Sequence, residues 1–223
     1  MPTDYSHAIA FILEGDTEKI FYLNMLEYFC SLHPNWMLRK NTDYDSNEIY
    51  YSIQTDTGTI LVKTYPVGTI SQITNADTWF NKRCKSIDGS LSWTVFLCYD
   101  TDSYSANISK FYEGDWKELR KSLNKSTRVR IVDLAASADI EDIMLIDSTN
   151  VFKFIGISPV PIPNKRKGKL KMKALFRMKG RGSAYHEGSR AEKLIKSLDM
   201  NKIILGSSIP FNEIEKTILD LKQ

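Results

Sequence analysis

The chain has 223 residues, of which 42% are hydrophobic and 26% charged, and its formal net charge is +3. This length fits one large domain or one domain with an appendage, and the composition is that of an ordinary globular protein. No apolar run approaches the ~18 residues of a membrane span, and the N-terminus lacks the basic flank and apolar core of a signal peptide. We therefore expect a cytoplasmic protein with no membrane partner.

Cysteine and histidine usage excludes a zinc module. The three cysteines form no C-x-x-C pair, and the three histidines are scattered along the chain. We therefore expect reduced core cysteines and no structural metal. The residues concerned are Cys30, Cys84, Cys98, His7, His33 and His186.

The first predicted elements are a strand and a helix. The apolar run "HAIAFIL", His7 to Leu13, is typical of a strand buried on both faces of a parallel sheet. Gly15 then permits a tight turn, and Asp16 can cap a helix whose first turn gains from Glu18. That helix runs through "TEKIFYLNMLEYFCSL".

A hairpin and a second helix follow. The runs "EIYYSIQ" and "TILVKTYPV" flank Thr55-Asp56-Thr57-Gly58, which predicts two antiparallel strands joined by a turn. The next helix is expected from about Ser71 to Lys85.

The middle of the chain continues the alternation of strands and helices. "SWTVFLCYDTD" predicts a strand from Trp93 to Tyr99 that ends in Asp100 and Asp102. "NISKFYEGDWKELRKSL" predicts an amphipathic helix, "VRIVDL" a strand and "DIEDIMLI" another helix. This order predicts an α/β fold with a Rossmann-like, mostly parallel sheet flanked by helices.

The pattern changes near residue 150, so we divide the chain into an α/β domain, residues 1–150, and a basic extension, residues 151–223. The proline-punctuated "ISPVPIPNKRKGK" connects them. Three short helices are expected near residues 170–179, 187–199 and 210–221, packed on the domain.

A basic strip, residues 164–181, contains nine Lys or Arg and no acid, whereas the preceding 163 residues hold 15 basic and 21 acidic residues. A basic strip on an acidic body is typical of nucleic-acid enzymes, although a solvated loop and helix face has the same pattern. The candidate nucleic-acid-binding residues are Lys165, Arg166, Lys167, Lys169, Lys171, Lys179 and Arg181.

Acidic residues follow three predicted strands. Glu14 follows the first, Asp100 and Asp102 the second, and Asp139, Glu141 and Asp142 the third. Crowded carboxylates are tolerated when a hard cation such as Mg²⁺ or Mn²⁺ bridges them, so the pattern predicts a metal site at one sheet edge. A second D-x-D pair, Asp43 and Asp45, has no preceding strand and is typical of a turn.

These motifs carry a resemblance to a family. "FILEGDTEKIFY" resembles the E-G-x-x-E motif of Toprim domains, and "VFLCYDTD" resembles their strand followed by D-x-D. "SADIEDIML" is similar to the third acidic element of the branch that contains overcoming-lysogenization-defect (OLD) nucleases and phage-defence proteins. The resemblance covers about residues 7–147, with the hairpin as an insertion. It implies Glu14, Glu18, Asp100, Asp102 and Glu141 as catalytic residues, all but Glu18 also as metal ligands.

The resemblance implies a metal-dependent nuclease on DNA or structured RNA such as tRNA, in anti-phage defence. OLD-type nucleases often work with an ATPase, and this chain has no P-loop, so an ATPase would be a separate partner. A non-catalytic Toprim-like module that binds nucleic acid or protein is the alternative, and a homo-oligomer stays open. His186 is either a general acid/base or a surface cap, and Glu18 has the alternative of only balancing its helix N-terminus.

Overall fold

A mixed six-stranded sheet organises this α/β fold. The computed structural model describes residues 5–43, 46–68, 72–101, 113–136, 139–180 and 182–220, and for residues 113–115 the backbone only. The strands are β1 (Tyr5–Leu13), β2 (Met37–Thr42), β3 (Ile49–Thr55), β4 (Gly58–Pro66), β5 (Trp93–Asp100) and β6 (Val129–Ala136).

The sheet order is β2-β3-β4-β1-β5-β6. Strand β1 pairs in parallel with β4 and β5, and β5 pairs in parallel with β6. Strand β3 is antiparallel to both β2 and β4. The parallel part is therefore extended on one side by an antiparallel pair.

Helices cover both faces of the sheet. They are α1 (Asp16–Leu32), α2 (Ile73–Trp79), α3 (Glu113–Leu123), α4 (Ile140–Met144), α5 (Ser148–Ile155), α6 (Gly168–Met178), α7 (Glu192–Ile195), α8 (Met200–Gly206) and α9 (Asn212–Asp220). A π-helical turn, Phe80–Cys84, continues α2 directly. None of the helices in the described ranges is long and apolar enough to cross a membrane.

Two apolar cores form because successive side chains of a strand point to opposite faces. Ile9, Phe11 and Leu13 of β1 pack into the core that α1 and α4 to α9 cover. Ala8 and Ala10 pack into the other core, which α2 and α3 cover. With helices on both sides, β1 carries the continuous apolar run expected of a buried parallel strand.

Most of the predicted order of elements is confirmed, with two differences at the antiparallel side. The Thr55–Gly58 turn joins β3 and β4 as predicted, but β4 also pairs with β1, so it belongs to the central sheet and is no insertion. Strand β2 was not predicted, because its sequence "MLRKNT" is polar and its side chains are largely exposed at the sheet edge.

Helices α6 and α9 lie close to the predicted ranges 170–179 and 210–221, and the range 187–199 contains the short helix α7. Helix α8 was not predicted, and apolar residues of all four helices share the core of α1. Residue 150 lies inside α5. The division of the chain into two domains stays a prediction.

Candidate active site

The carboxyl ends of three parallel strands meet at one edge of the sheet, because β1, β5 and β6 are neighbours. Glu14 follows β1, Asp100 ends β5, and Asp139 comes three residues after β6. The Glu14 N–H donates to the Cys98 carbonyl at 3.2 Å. The Asp100 N–H in turn donates to Glu14 Oε2 at 3.0 Å. The first two predicted acids are thus joined across the sheet.

A pocket of about 480 Å³ opens at this edge, and we call it the carboxylate pocket. Its charged lining residues are Glu14, Asp16, Glu18, Asp100, Asp139, Glu141, Glu187, Lys167 and Lys169. Seven acids therefore face two lysines. The structure brings Glu14, Glu18, Asp100 and Glu141 together, as the sequence motifs required.

Glu18 reaches the pocket from the first turn of α1. The helix begins at Asp16, with Gly15 as its N-cap, so the prediction of Asp16 as the capping residue was wrong. A side chain at Gly15 would place its Cβ 3.1 Å from Glu18 Oε2. Glycine therefore leaves room for the Glu18 carboxyl. The backbone at Gly15 is extended and does not form the predicted tight turn.

The pKa of Glu18 is raised to about 7, mainly by burial and in part by the charges of Glu14 and Glu187. Backbone hydrogen bonds at Gly15 and at Glu18 itself oppose this rise. Near neutral pH the Glu18 carboxyl exists in both protonation states, which is the condition under which a carboxyl group transfers protons efficiently.

Glu141 lies in the first turn of α4 and is also buried. The Tyr185 hydroxyl donates to Glu141 Oε1 at 2.8 Å. Burial and the charge of Asp139 raise the pKa of Glu141 to about 8, although the hydrogen bond from Tyr185 lowers it. At neutral pH this pKa favours the protonated form of Glu141, which lines the pocket.

Asp139 joins two helices at the pocket wall. It caps α4 by accepting the Asp142 N–H at 3.0 Å, and it accepts the Lys169 N–H of α6 at 3.2 Å. Burial raises its pKa, against these backbone hydrogen bonds. The family resemblance implied Glu141 from the third cluster, but Asp139 also lines the pocket, whereas Asp142 pairs with Lys171 at 2.6 Å.

Asp100 has its pKa raised well above the usual range, first by burial and then by the charges of Glu14, Glu18, Asp139 and Glu141. These four neighbours come from the ends of two other strands and two helices. The pocket thus contains several interacting carboxyl groups that titrate over different pH ranges.

The basic strip is divided by the fold. Lys167 and Lys169 line the carboxylate pocket, and Lys169 Nζ lies 2.5 Å from Glu187. Lys165, Arg166 and Lys179 are exposed. Arg181 lies outside the described residues, and nucleic-acid binding by the strip stays a prediction.

Other predicted site residues lie elsewhere. Asp102 falls outside the described residues. His186 is exposed and its Nδ1 lies 3.4 Å from Arg190 Nη1, so its catalytic role stays a prediction. Glu187 and Tyr185 were missed because they follow no strand and match no motif.

Several carboxyl groups of the pocket have hydrogen-bond partners within the protein. Carboxylates suit Mg²⁺ or Mn²⁺, but Glu14, Asp139 and Glu141 already accept protein N–H or O–H groups. Within the described ranges, no group of three His, Cys, Asp or Glu residues is arranged to hold a metal ion. Cofactor use stays a prediction.

Comparisons with known proteins give no family. No family model matches the chain, and no curated protein matches its sequence. One similar solved structure is a futalosine hydrolase mutant of Helicobacter pylori strain 26695, at 9% identity and a TM-score of 0.31, covering 95% of this chain and 99% of that one. Another is the 5'-methylthioadenosine/S-adenosyl homocysteine nucleosidase of Campylobacter jejuni, at 12% identity and a TM-score of 0.27, covering 94% and 99%.

The Toprim assignment is corrected accordingly. The two solved structures named above are, by their titles, a futalosine hydrolase and a nucleosidase and not Toprim nucleases, and no family model matches. The predictions of an OLD-like magnesium nuclease, of anti-phage defence and of a Toprim-like binding module are withdrawn with it. At this low identity and TM-score, the likeness assigns no activity to this chain.

Proposed function

We propose that the chain is a hydrolase whose active site is the carboxylate pocket, working by general acid–base catalysis. The observation that carries the proposal is the convergence of carboxyl groups from three strand ends and two helix starts on one pocket. Carboxyl groups this close together repel each other when they are ionised. Such unfavourable arrangements occur mainly at functional sites. Carboxyl groups whose environments separate their pKa values can divide the roles of acid and base.

The geometry suggests a division of roles. Glu18, with a pKa of about 7, is the proton donor to the leaving group. Glu14 is the group that activates water, because the Asp100 N–H holds one of its oxygens in place at the pocket. Lys167 and Lys169 lie at the pocket and would hold a polar or anionic part of the substrate.

A protonated carboxyl beside an ionised one is the arrangement that cleaves glycosidic bonds. The proposed substrate is therefore a glycoside-like molecule. Glu18 gives a proton to the leaving group as the glycosidic bond breaks. A water molecule loses a proton to Glu14 and adds to the anomeric carbon. This mechanism requires no nucleic-acid, ATPase or homo-oligomer partner, and these partners remain separate proposals. The use of Mg²⁺ or Mn²⁺ is likewise a separate proposal.

The test is hydrolysis by the purified protein of a nucleoside set and of p-nitrophenyl glycosides, with p-nitrophenyl esters and phosphates in parallel. Glu14→Gln and Glu18→Gln should each lower the rate by at least ~10²-fold, the usual contribution of a general acid or base. Glu27→Gln is the matched control, because Glu27 lies on the same helix but is exposed. Equal rates in all three variants would refute the assignment of the site.

A further inference from the structure

A second pocket, of about 260 Å³, lies on the face of the sheet that α2 and α3 cover. Leu61 at its base belongs to the core beneath α2 and α3, and Tyr5 and Tyr50 pack against that core. None of the residues that line it also lines the carboxylate pocket. We call it the lysine pocket, after Lys63.

Lys63 is a charged residue in an unusual place. It lies in the middle of β4, between two neighbouring strands, and is only 5% exposed. Its Nζ lies 3.1 Å from Glu48 Oε2, and Glu48 Oε1 accepts the Trp79 indole N–H at 3.3 Å. A buried ammonium is costly even when paired. It also carries three N–H donors, so one carboxylate oxygen does not exhaust its capacity.

Helix α2 continues into an irregular turn beside the pocket, and this turn supplies two further basic residues. The π-helical turn Phe80–Cys84 is closed by the Lys85 N–H, which donates to the Phe80 carbonyl at 3.0 Å. Single π-helical turns occur frequently at functional sites. This one places Lys82 and Arg83 at the pocket, and both are exposed.

The charges that line the pocket favour an anion. Three are basic, Lys63, Lys82 and Arg83, and two are acidic, Asp43 and Glu48. Because Glu48 is already paired with Lys63, the two cations of the turn face the single acid Asp43. The pocket thus combines a basic edge with aromatic walls.

We infer that the lysine pocket binds a small aromatic anion, with its ring against Tyr5 and Tyr50 and its anionic group toward Lys63, Lys82 and Arg83. The volume of about 260 Å³ lies just below that of pockets for drug-sized ligands, which begin at ~300 Å³, so a one-ring molecule fits best. The anionic group is a carboxylate or a phosphate, since both accept hydrogen bonds from Lys and Arg.

The experiment is calorimetric titration of the full chain with benzoate, phenyl phosphate and inorganic phosphate. Saturable binding of benzoate or phenyl phosphate, tighter than that of inorganic phosphate, is expected, and the better of the two identifies the anionic group. Lys82→Ala and Arg83→Ala should each weaken it by about tenfold, the effect of losing one charge-assisted hydrogen bond. Lys85→Ala is the control, because Lys85 follows the same turn but stacks on Phe80, 5.5 Å from its ring centre.

Three results would overturn the inference: no saturable binding, equal weakening by Lys85→Ala, or inorganic phosphate binding as tightly as the aromatic anions. Lys63→Met should weaken binding most. Circular dichroism checks that this variant folds. If it does not fold, the Lys82→Ala/Arg83→Ala double variant is used in its place. Glu18→Gln should leave this binding unchanged, so the outcome is independent of the proposed hydrolase activity.

Discussion

Glu18 illustrates how position decides the chemistry of one residue. An acid in the first turn of a helix usually faces water and favours its ionised form beside the helix N-terminus. Here the helix starts at the edge of the sheet, so the Glu18 side chain is buried against Glu14 and Glu187. The residue type that would only balance a helix dipole in solvent is here the group we propose as the proton donor.

The pH dependence of hydrolysis should report this group. If protonated Glu18 is the donor, the rate on the active substrate should fall as pH rises through about 7, the pKa of Glu18. Glu18→Gln should remove this alkaline limb as well as lower the rate, whereas Glu27→Gln should keep both. An unchanged alkaline limb in Glu18→Gln would assign the proton transfer to another pocket acid, Glu141 first.

Position 168 requires glycine because of a close contact with α4 and not because of its backbone conformation. A methyl group at this position would overlap the backbone nitrogen of Asp142 and Oδ1 of Asp139. The start of α6 can approach the start of α4 closely only because no side chain separates them.

Gly168→Ala should therefore lower the free energy of unfolding by about 2 kcal/mol, as expected for overpacking of a buried contact. Urea denaturation measures this change. Gly89→Ala is the matched control, because a Cβ there meets no atom within 4 Å. A stability loss of the same size in both variants would mean that the contact is not the cause.

At the scale of elements, a buried carboxylate joins the helices of the C-terminal half. Asp147 precedes α5 and is 1% exposed. It accepts the Asp199 N–H at 2.9 Å, the Lys202 ammonium at 3.0 Å and the Asn150 amide at 2.7 Å. The carboxylate thus connects the start of α5 with the start of α8.

Asp147→Ala should destabilise the fold by about 3 kcal/mol, because buried donors lose their acceptor and Lys202 loses its charge partner. Thermal denaturation at pH 7 measures the loss. Glu192→Ala removes an exposed ion pair with Lys196, at 2.8 Å, and should cost much less stability, because exposed ion pairs contribute little. Similar losses in the two variants would refute a special role for Asp147.

For the whole molecule, the carboxylate pocket makes stability depend on pH. The pKa of Glu18 rises from 4.5 to about 7 on folding, and that of Glu141 from 4.5 to about 8. Between these values the folded chain binds more protons than the unfolded chain. The free energy of unfolding therefore falls as pH rises from about 4.5 to about 8, and below that range both states are protonated and the penalty is absent.

The expected loss from Glu18 alone is about 3 kcal/mol, since one unit of pKa corresponds to ~1.4 kcal/mol. Denaturant melts at pH 5 and pH 8 measure it. Glu18→Gln should flatten the dependence, and Glu27→Gln should leave it unchanged. A stability that stays level between pH 5 and pH 8 in the unmodified protein would show that these acids are ionised at no cost in the folded state.

The sequence by itself determined the order of the buried elements. "HAIAFIL" and "SWTVFLCYD" are continuous apolar runs because their strands have helices on both faces. The local sequence alone therefore predicts that these strands are buried. Glu14 and Asp100 could be predicted as neighbours because parallel strands bring their carboxyl ends to one edge. For the same reason, the third cluster was expected beside them.

Only the tertiary structure decided what surrounds those acids. Glu187 lines the pocket and Tyr185 donates to Glu141, both from a segment more than 80 residues after Asp100, and no local pattern marks that approach. The edge strand β2 and the second pairing of β4 with β1 likewise depend on partners distant in sequence. Local periodicity encodes which face of an element is buried, but it does not encode which distant side chains share a cavity, because that depends on how the helices pack across the sheet.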